Sequence, residues 1–236
     1  MPSKKKQAEI KEEKDWESID NAVVRSGNFL ETYSKQIMIA VGAFVIIACG
    51  YLAYQRFYIQ PRNEEAKNAS YKGQDYIAQR QDSLALYGDG NGFVGFEKIA
   101  DEYGSTPAGN LAKAYAGICY ANLGNYDKAL SLLKDYSGKD EIFANVVNGA
   151  IGDCLDNQGK SDDAISYYEK AAKGADDAIY SPVYYKKAAL IYMQKGNYDK
   201  VVELFNLVKN KYGNSQIARI EADKYIIEAN TLKESK

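Results

Sequence analysis

A short phrase repeats along this chain and constrains the fold more than any other feature. Residues 123–130 read LGNYDKAL, residues 195–202 read KGNYDKVV, and residues 158–165 between them read QGKSDDAI. The glycines at the head of the copies lie 35 and 37 positions apart: Gly124, Gly159 and Gly196. Self-similarity at this spacing is typical of arrays in which one small structural unit stacks on the next.

Each copy fits two helices joined by a tight turn. The slot where the first helix faces the second is small in every copy: Gly117, Gly152 and Ala189. A small side chain there lets the helices approach, and we expect a large aromatic residue of the neighbour to fill the gap. Glycine at the turn can adopt the left-handed conformation that ends a helix. Thr106–Pro107 and Ser181–Pro182 each predict an N-cap followed by the first helical residue.

A more degenerate unit precedes the three copies. Residues 65–87 are predicted to be helical, GDGNG at 88–92 is predicted to be the turn, and residues 93–107 supply a second helix. Asp89 and Asn91 alternate as calcium ligands do, but the distal Glu of such a loop is missing, so a plain turn is predicted. After the third copy, one further helix is expected to cap the stack.

Residues 37–54 contain 18 consecutive positions without a charge. At about 1.5 Å per residue they span roughly 27 Å, close to the thickness of a hydrocarbon core. Aromatic residues lie at both ends of the stretch, as in membrane-interface belts. A buried core helix would be amphipathic, whereas this stretch is apolar all round. The sequence therefore predicts a transmembrane helix over residues 37–58, and the long acidic leader argues against a cleaved signal peptide.

The charges of the flanks predict the orientation. The 36-residue tail carries Lys4, Lys5, Lys6, Lys11 and Lys14, and long domains are exported largely regardless of charge. This favours a cytoplasmic N-terminus and an exported C-terminal domain. One alternative to this anchor stays open, since IIAC at 46–49 loosely resembles a lipobox that would lipidate Cys49. In the tail, Trp16, Ile19 and Val23 form a short apolar stripe, which fits either a weakly ordered juxtamembrane helix or a segment that contacts the membrane or a partner.

Composition excludes several classes of function. The chain has 30 Lys and Arg against 32 Asp and Glu, so it lacks the basic surplus of nucleic-acid-binding proteins. It has no histidine, which removes imidazole metal sites and Ser-His or Cys-His nucleophile pairs. Cys119 and Cys154 occupy equivalent slots 35 positions apart and are predicted to be small core residues, although an oxidised pair stays open. We expect neither an enzyme nor a cofactor.

The repeat pattern resembles the tetratricopeptide repeat, which implies an all-α protein: an N-terminal transmembrane helix followed by an α-solenoid. The predicted divisions are a charged tail at 1–36, the membrane helix at 37–58, and a repeat domain at 62–236 with units at about 76–109, 110–144, 145–181 and 182–213 and a capping helix at 214–233.

The resemblance implies a concave protein-binding groove lined by the first helix of each unit. On this alignment the lining residues are Leu84, Tyr87, Leu111, Ile118, Asn122, Val146, Asp153, Asn157, Val183, Lys186, Leu190 and Met193. Aliphatic groups with scattered polar ones suit apolar or extended polypeptide segments. The carboxylate-clamp version of such grooves is not favoured, since Lys186 is the single basic residue in this set.

A short tail, one membrane span and a tetratricopeptide domain also resemble the layout of the YfgM-like ancillary subunits of the bacterial Sec translocon, including an A-x-x-x-Y start near Ala66 and residues 69–71. This resemblance implies an inner-membrane protein whose repeats face the periplasm and contact translocon subunits, exported polypeptides and chaperones. The alternative is a tetratricopeptide lipoprotein or scaffold of outer-membrane protein assembly. Whether the array self-associates stays open.

Overall fold

The computed structural model describes residues 33–138 and 140–235, and every regular element in these two ranges is helical. The prediction of an all-α chain is confirmed for this part of the protein. The chain divides into two compact units, residues 1–58 and residues 59–236. The apolar stripe predicted at Trp16, Ile19 and Val23 lies outside the described residues.

The first unit contains helix α1, residues 33–54, which leads into a π-helical turn at Gln55–Ile59. None of its most apolar 18-residue window is buried, and side chains such as Ile39, Phe44 and Ile46 are more than 70% exposed. In a soluble protein a core helix of this composition is mostly buried. The helix that begins at Tyr33 is therefore long and apolar enough to cross a membrane once.

The second unit is a stack of helices. In chain order they are α2 (Gln60–Ala78), α3 (Asp82–Tyr87), α4 (Phe96–Tyr103), α5 (Pro107–Asn122), α6 (Tyr126–Asp135), α7 (Glu141–Asn157), α8 (Ser161–Ala175), α9 (Tyr180–Gln194), α10 (Tyr198–Lys211) and α11 (Ala222–Glu234), the last preceded by a π-helical turn at Ile217–Glu221. The pairs α5–α6, α7–α8 and α9–α10 form hairpins, and each hairpin packs on the next through α6–α7 and α8–α9.

The repeated phrase forms the turn of each hairpin. Gly124, Gly159 and Gly196 all have positive φ angles of 71–82°. At the first turn the N–H of Asn125 donates to the carbonyl of Tyr120 at 2.9 Å, and the N–H of Gly124 donates to that of Ala121 at 3.0 Å. The other two turns repeat this Schellman pattern. The predicted role of these glycines is confirmed.

Two of the three small residues lie where paired helices cross. A Cβ atom on Gly152 would lie 2.7 Å from the ring of Tyr168, and a Cβ on Gly117 would lie 2.7 Å from Leu133 Cγ. Ala189 is fully buried. The expected aromatic neighbour is thus found at Gly152, but at Gly117 the gap is filled by leucine.

The degenerate first unit differs from its prediction. The helix expected over residues 65–87 is interrupted between α2 and α3, where Arg80 adopts a left-handed conformation with φ of 60°. The N–H of Arg80 still bonds the carbonyl of Ile77 at 3.0 Å. The chain therefore turns between the long helix α2 and the short helix α3, which both pack on α5.

Ser181 is not the N-cap that the sequence predicts. Helix α9 begins at Tyr180, and the Asp177 carboxylate accepts hydrogen bonds from the N–H groups of Ile179 and Tyr180, each at 2.6 Å. The fully buried Ser181 hydroxyl instead donates to the carbonyl of Ala172 at 2.8 Å. It joins the end of α8 to the start of α9, so the prediction was wrong because a tertiary bond outweighs the local cap.

Asp89 organises the GDGNG turn with both of its carboxylate oxygens. Its Oδ1 atom accepts from the N–H groups of Asn91 at 2.8 Å and Phe93 at 3.1 Å. Its Oδ2 atom accepts from the Tyr76 hydroxyl at 2.8 Å and forms an ion pair with Lys72. The Lys72 bond, followed by the backbone and phenol donors, holds the pKa of this carboxyl well below its ordinary value.

We predict that Asp89→Asn lowers the stability of the repeat domain at about pH 7 and that this difference shrinks in acid. The folded-state pKa is depressed, so the stabilisation is present above the unfolded pKa of about 4 and is lost as the pH falls. Urea midpoints of both proteins at about pH 7 and about pH 3 measure the effect. An equal difference at both pH values would contradict this electrostatic role.

Candidate protein-binding groove

The first helices of three successive hairpins, α5, α7 and α9, line an open groove. It consists of two adjoining cavities that share Ile179, Val183 and Lys187. One lies across α5, α7 and α9 and has a volume of about 580 Å³. The other lies between α9 and the π-helical turn before α11 and has a volume of about 780 Å³. These volumes are in the range of protein sites that bind drug-sized ligands or side chains.

Most of the predicted lining residues lie in this groove. The smaller cavity is lined by Ile118, Asn122, Val146, Asp153, Asn157 and Val183, and the larger by Val183, Lys186 and Leu190. The other four lie elsewhere: Leu84 and Tyr87 are exposed on α3, Leu111 lines a separate cavity of about 120 Å³ beside α2, and Met193 packs half-buried against the core.

Exposed aliphatic side chains mark the centre of the groove. Ile179 is 72% exposed and Val183 is 40% exposed, although both are large apolar residues of a well-packed domain. They lie at the boundary of the two cavities, with Leu190 further along α9. An exposed apolar strip at the centre of a groove is typical of a protein-binding surface.

The cations in the groove are neutralised by acidic residues of the chain itself. Lys187 Nζ lies 2.5 Å from Asp153 Oδ1, and Lys186 forms an ion pair with Glu221. Asp153 also accepts a hydrogen bond from the Tyr168 hydroxyl at 2.6 Å. Because each lysine has an acidic partner, the groove offers no net positive charge to a ligand.

Carboxamides occupy the same slot at the end of successive first helices. Asn122 Nδ2 donates to Asp82 Oδ1 at 2.9 Å, and Asn157 Nδ2 donates to the carbonyl of Asp153 at 2.8 Å. Both side chains are exposed, 35 positions apart in sequence. Carboxamides can donate to and accept from a peptide backbone, so they suit an extended polypeptide.

The groove also contains residues that sequence reasoning missed. Lys187 and Ile217 line it, as do Ile179 and Tyr180, which precede the predicted start of α9. The one usable signal was the pair of large apolar residues at 179 and 180, in a segment otherwise rich in acid and small residues.

Gly149 forms the floor of the smaller cavity, between α7 and α9. A Cβ atom at this position would lie 2.2 Å from the ring of Tyr184, which is itself buried. Burial raises the pKa of the Tyr184 phenol to about 12, so the ring stays neutral. The glycine thus lets successive first helices lie close enough to form one continuous surface.

We predict that Gly149→Val destabilises the domain by about 1–3 kcal/mol, because the added methyl groups overlap the Tyr184 ring. The urea midpoint of unfolding measures the loss. Ala150→Val, at the neighbouring half-buried position, is the matched control and should change the midpoint less. Equal midpoints for the two variants would show that the contact between α7 and α9 is loose.

Two of the three cysteines are buried thiols, whereas Cys49 on α1 is exposed. Cys119 and Cys154 are both free and fully buried, and burial raises their thiol pKa values to about 12 and about 11. Thiols of this kind react slowly because little thiolate is present. Within residues 33–138 and 140–235, no group of three or more acidic or cysteine side chains is placed to hold a metal ion.

The comparison with known families supports the hairpin assignment. A tetratricopeptide repeat model matches residues 147–173, which comprise most of α7 and α8 with the turn at Gly159 between them. No curated protein matches the chain. The chain thus carries a tetratricopeptide repeat within a helical stack, and repeats of this class generally mediate protein–protein interaction. The fold and the groove together define a protein-interaction scaffold.

Proposed function

We propose that this protein is a membrane-anchored periplasmic scaffold that associates with the Sec translocon and assists exported proteins or their chaperones. The observation that carries the proposal is the neutral, apolar groove along α5, α7 and α9. An emerging exported chain is unfolded and exposes apolar segments, which a groove of this chemistry can cover. The resemblance of the layout to translocon-associated subunits supplies the partner.

The proposed location rests on the apolar helix. Its side chains are exposed all round, and a bilayer would remove them from water. The lysines of the N-terminal tail favour a cytoplasmic N-terminus by the positive-inside rule. This orientation puts the groove in the compartment into which exported chains emerge.

The proposed ligand follows from the charges in the groove. A clamp for a C-terminal carboxylate needs cations that are not already paired, whereas Lys186 and Lys187 face Glu221 and Asp153. An uncharged apolar segment has no charge to desolvate when it enters such a groove, and it covers the exposed Ile179 and Val183. We therefore propose apolar polypeptide segments as the ligand class.

Site-specific photocrosslinking in living cells tests this function. A photoreactive amino acid replaces Ile118 or Leu190 in the groove, and in a control it replaces Ser166, which is exposed on α8. We expect translocon subunits or exported chains to be captured from the groove positions and not from position 166. Capture of equal amounts from all three positions would argue against the groove.

The same cells distinguish the lipoprotein alternative. Mass spectrometry of the intact protein should find residues 1–36 attached to the rest of the chain, because an uncleaved helix is the proposed anchor. A chain that begins at Cys49 and loses palmitate labelling in Cys49→Ala would favour an outer-membrane assembly lipoprotein instead.

A further inference from the structure

Helix α11 is the first helix of a fifth repeat unit. The buried Ser215 hydroxyl accepts from the N–H of Ala218 at 3.1 Å, as the buried Thr106 hydroxyl accepts from that of Gly109 at 3.0 Å before α5. These two caps are 109 positions apart. The N-terminal end of α11 is therefore built as the N-terminal end of α5 is.

The π-helical turn adds one residue to this fifth unit. After this turn, equivalent residues of α5 and α11 are 110 positions apart. Tyr225 of α11 stacks on Phe205 of α10 with ring centroids 4.9 Å apart, and Tyr115 of α5 packs on Phe96 of α4 in the same way at 5.0 Å. A π-helical turn accommodates a single inserted residue within a helix. With that insertion, the residue equivalent to Gly117 is Ile227.

The change at this slot leaves an apolar face exposed. In α5, Gly117 contacts Leu133 of the second helix of its hairpin. In α11 the slot holds Ile227, which is 66% exposed, and Ile220 in the preceding π-helical turn is 70% exposed. The opposite side of α11 is buried at Ala222 and Ala229. Within the described residues no helix follows α11 to cover the exposed face.

The charges beside these isoleucines are self-complementary. Within α11, at about 100° per residue, Asp223 lies about 40° to one side of Ile227 and Lys224 about 60° to the other. Consider two such helices that run parallel and are related by a two-fold axis between them. The side of one helix that carries Lys224 then faces the side of the partner helix that carries Asp223. Lys224 of each chain then meets Asp223 of the other, and each isoleucine meets its own copy.

We propose that a second copy of this chain covers the exposed face of α11, in a parallel two-fold helix pair centred on Ile220 and Ile227. Asp223 already bonds Lys209 of its own chain at 2.5 Å, and a carboxylate has room for a second donor. Anchoring of both chains in one bilayer raises their effective concentration for each other.

Disulfide crosslinking of the full-length chain in membranes tests this pairing. Ile227→Cys and Ile220→Cys are made separately in a Cys49→Ala background, and Ser166→Cys on α8 is the control. Oxidation should give a covalent dimer from each isoleucine position and none from position 166. Antiparallel pairing would instead crosslink the two isoleucine variants only when they are mixed.

Charge reversal tests the polar part of the pairing. Lys224→Asp should weaken dimerisation of the full chain in detergent by about tenfold, as measured by analytical ultracentrifugation. The double variant Asp223→Lys with Lys224→Asp should restore most of the lost dimerisation. Melting curves by circular dichroism check that each variant is folded.

The proposal is overturned if position 227 stays monomeric on oxidation while the protein is folded, or if it crosslinks only to other proteins. It is also overturned if Lys224→Asp leaves dimerisation unchanged. Capture of exported chains from Ile118 and Leu190 does not depend on either result, so the groove and the helix pair are tested separately.

Discussion

Replacing Tyr168 by alanine should lower the free energy of unfolding of the repeat domain by about 3–5 kcal/mol. The side chain is 2% exposed, and its ring lies in the gap that Gly152 leaves between α7 and α8. Its hydroxyl donates to Asp153 at 2.6 Å. Alanine would leave a cavity about as large as the ring between α7 and α8.

Two further variants separate the ring from the hydroxyl. Tyr168→Phe keeps the ring and should cost about 1 kcal/mol, because Asp153 retains Lys187 as a partner. Tyr71→Ala is the surface control, since this tyrosine is 76% exposed, and it should change stability by no more than about 0.5 kcal/mol. Urea unfolding followed by circular dichroism gives all three values. If the alanine and phenylalanine variants unfold at the same urea midpoint, the Tyr168 ring does not stabilise the packing of α7 on α8.

Two charges in the middle of α1 should prevent membrane insertion. In Val45→Asp with Ile46→Arg, each charge costs about 3 kcal/mol at the centre of a membrane helix, about 6 kcal/mol together. Both residues are more than half exposed, so neither belongs to the packed core of the described chain. The protein should move from the carbonate-resistant membrane fraction to the soluble fraction.

The matched control for this variant is Val45→Leu with Ile46→Leu, which keeps the helix apolar and should remain carbonate-resistant. The urea midpoint of the repeat domain should be the same in both variants, since the substitutions lie outside it. A charged variant that stays in the membrane fraction, or a wild-type protein that carbonate extracts, would refute the membrane anchor.

The hairpins could be predicted because their signals are local. A turn glycine followed by Asn or Lys determines the Schellman bonds within six residues, so Gly124, Gly159 and Gly196 could be assigned from sequence. The break at Arg80 and the start of α9 could not. Ser181 looks like a cap in sequence, and its real partner is the carbonyl of Ala172, which only tertiary packing brings within reach.

The groove could be predicted in outline but not in register. Equivalent positions recur in α5, α7 and α9, so the alignment of the repeat copies predicts that Ile118, Asp153 and Val183 line the groove. Leu111 faces α2 instead, because the degenerate first unit has its own packing. The inserted residue of the π-helical turn also shifts the fifth unit by one position, and that shift is visible only when the caps and the buried slots are compared in three dimensions.

Fluorescence anisotropy of labelled peptides with the full-length protein in detergent tests the binding claim most directly. An uncharged apolar peptide should bind equally well at about 50 mM and about 500 mM salt, because no unpaired charge takes part. Val183→Asp should weaken binding by about tenfold or more, while Ser166→Asp on α8 should not. Preferential binding of an acidic-ended peptide that salt abolishes, or undiminished binding to the Val183→Asp protein, would contradict the account.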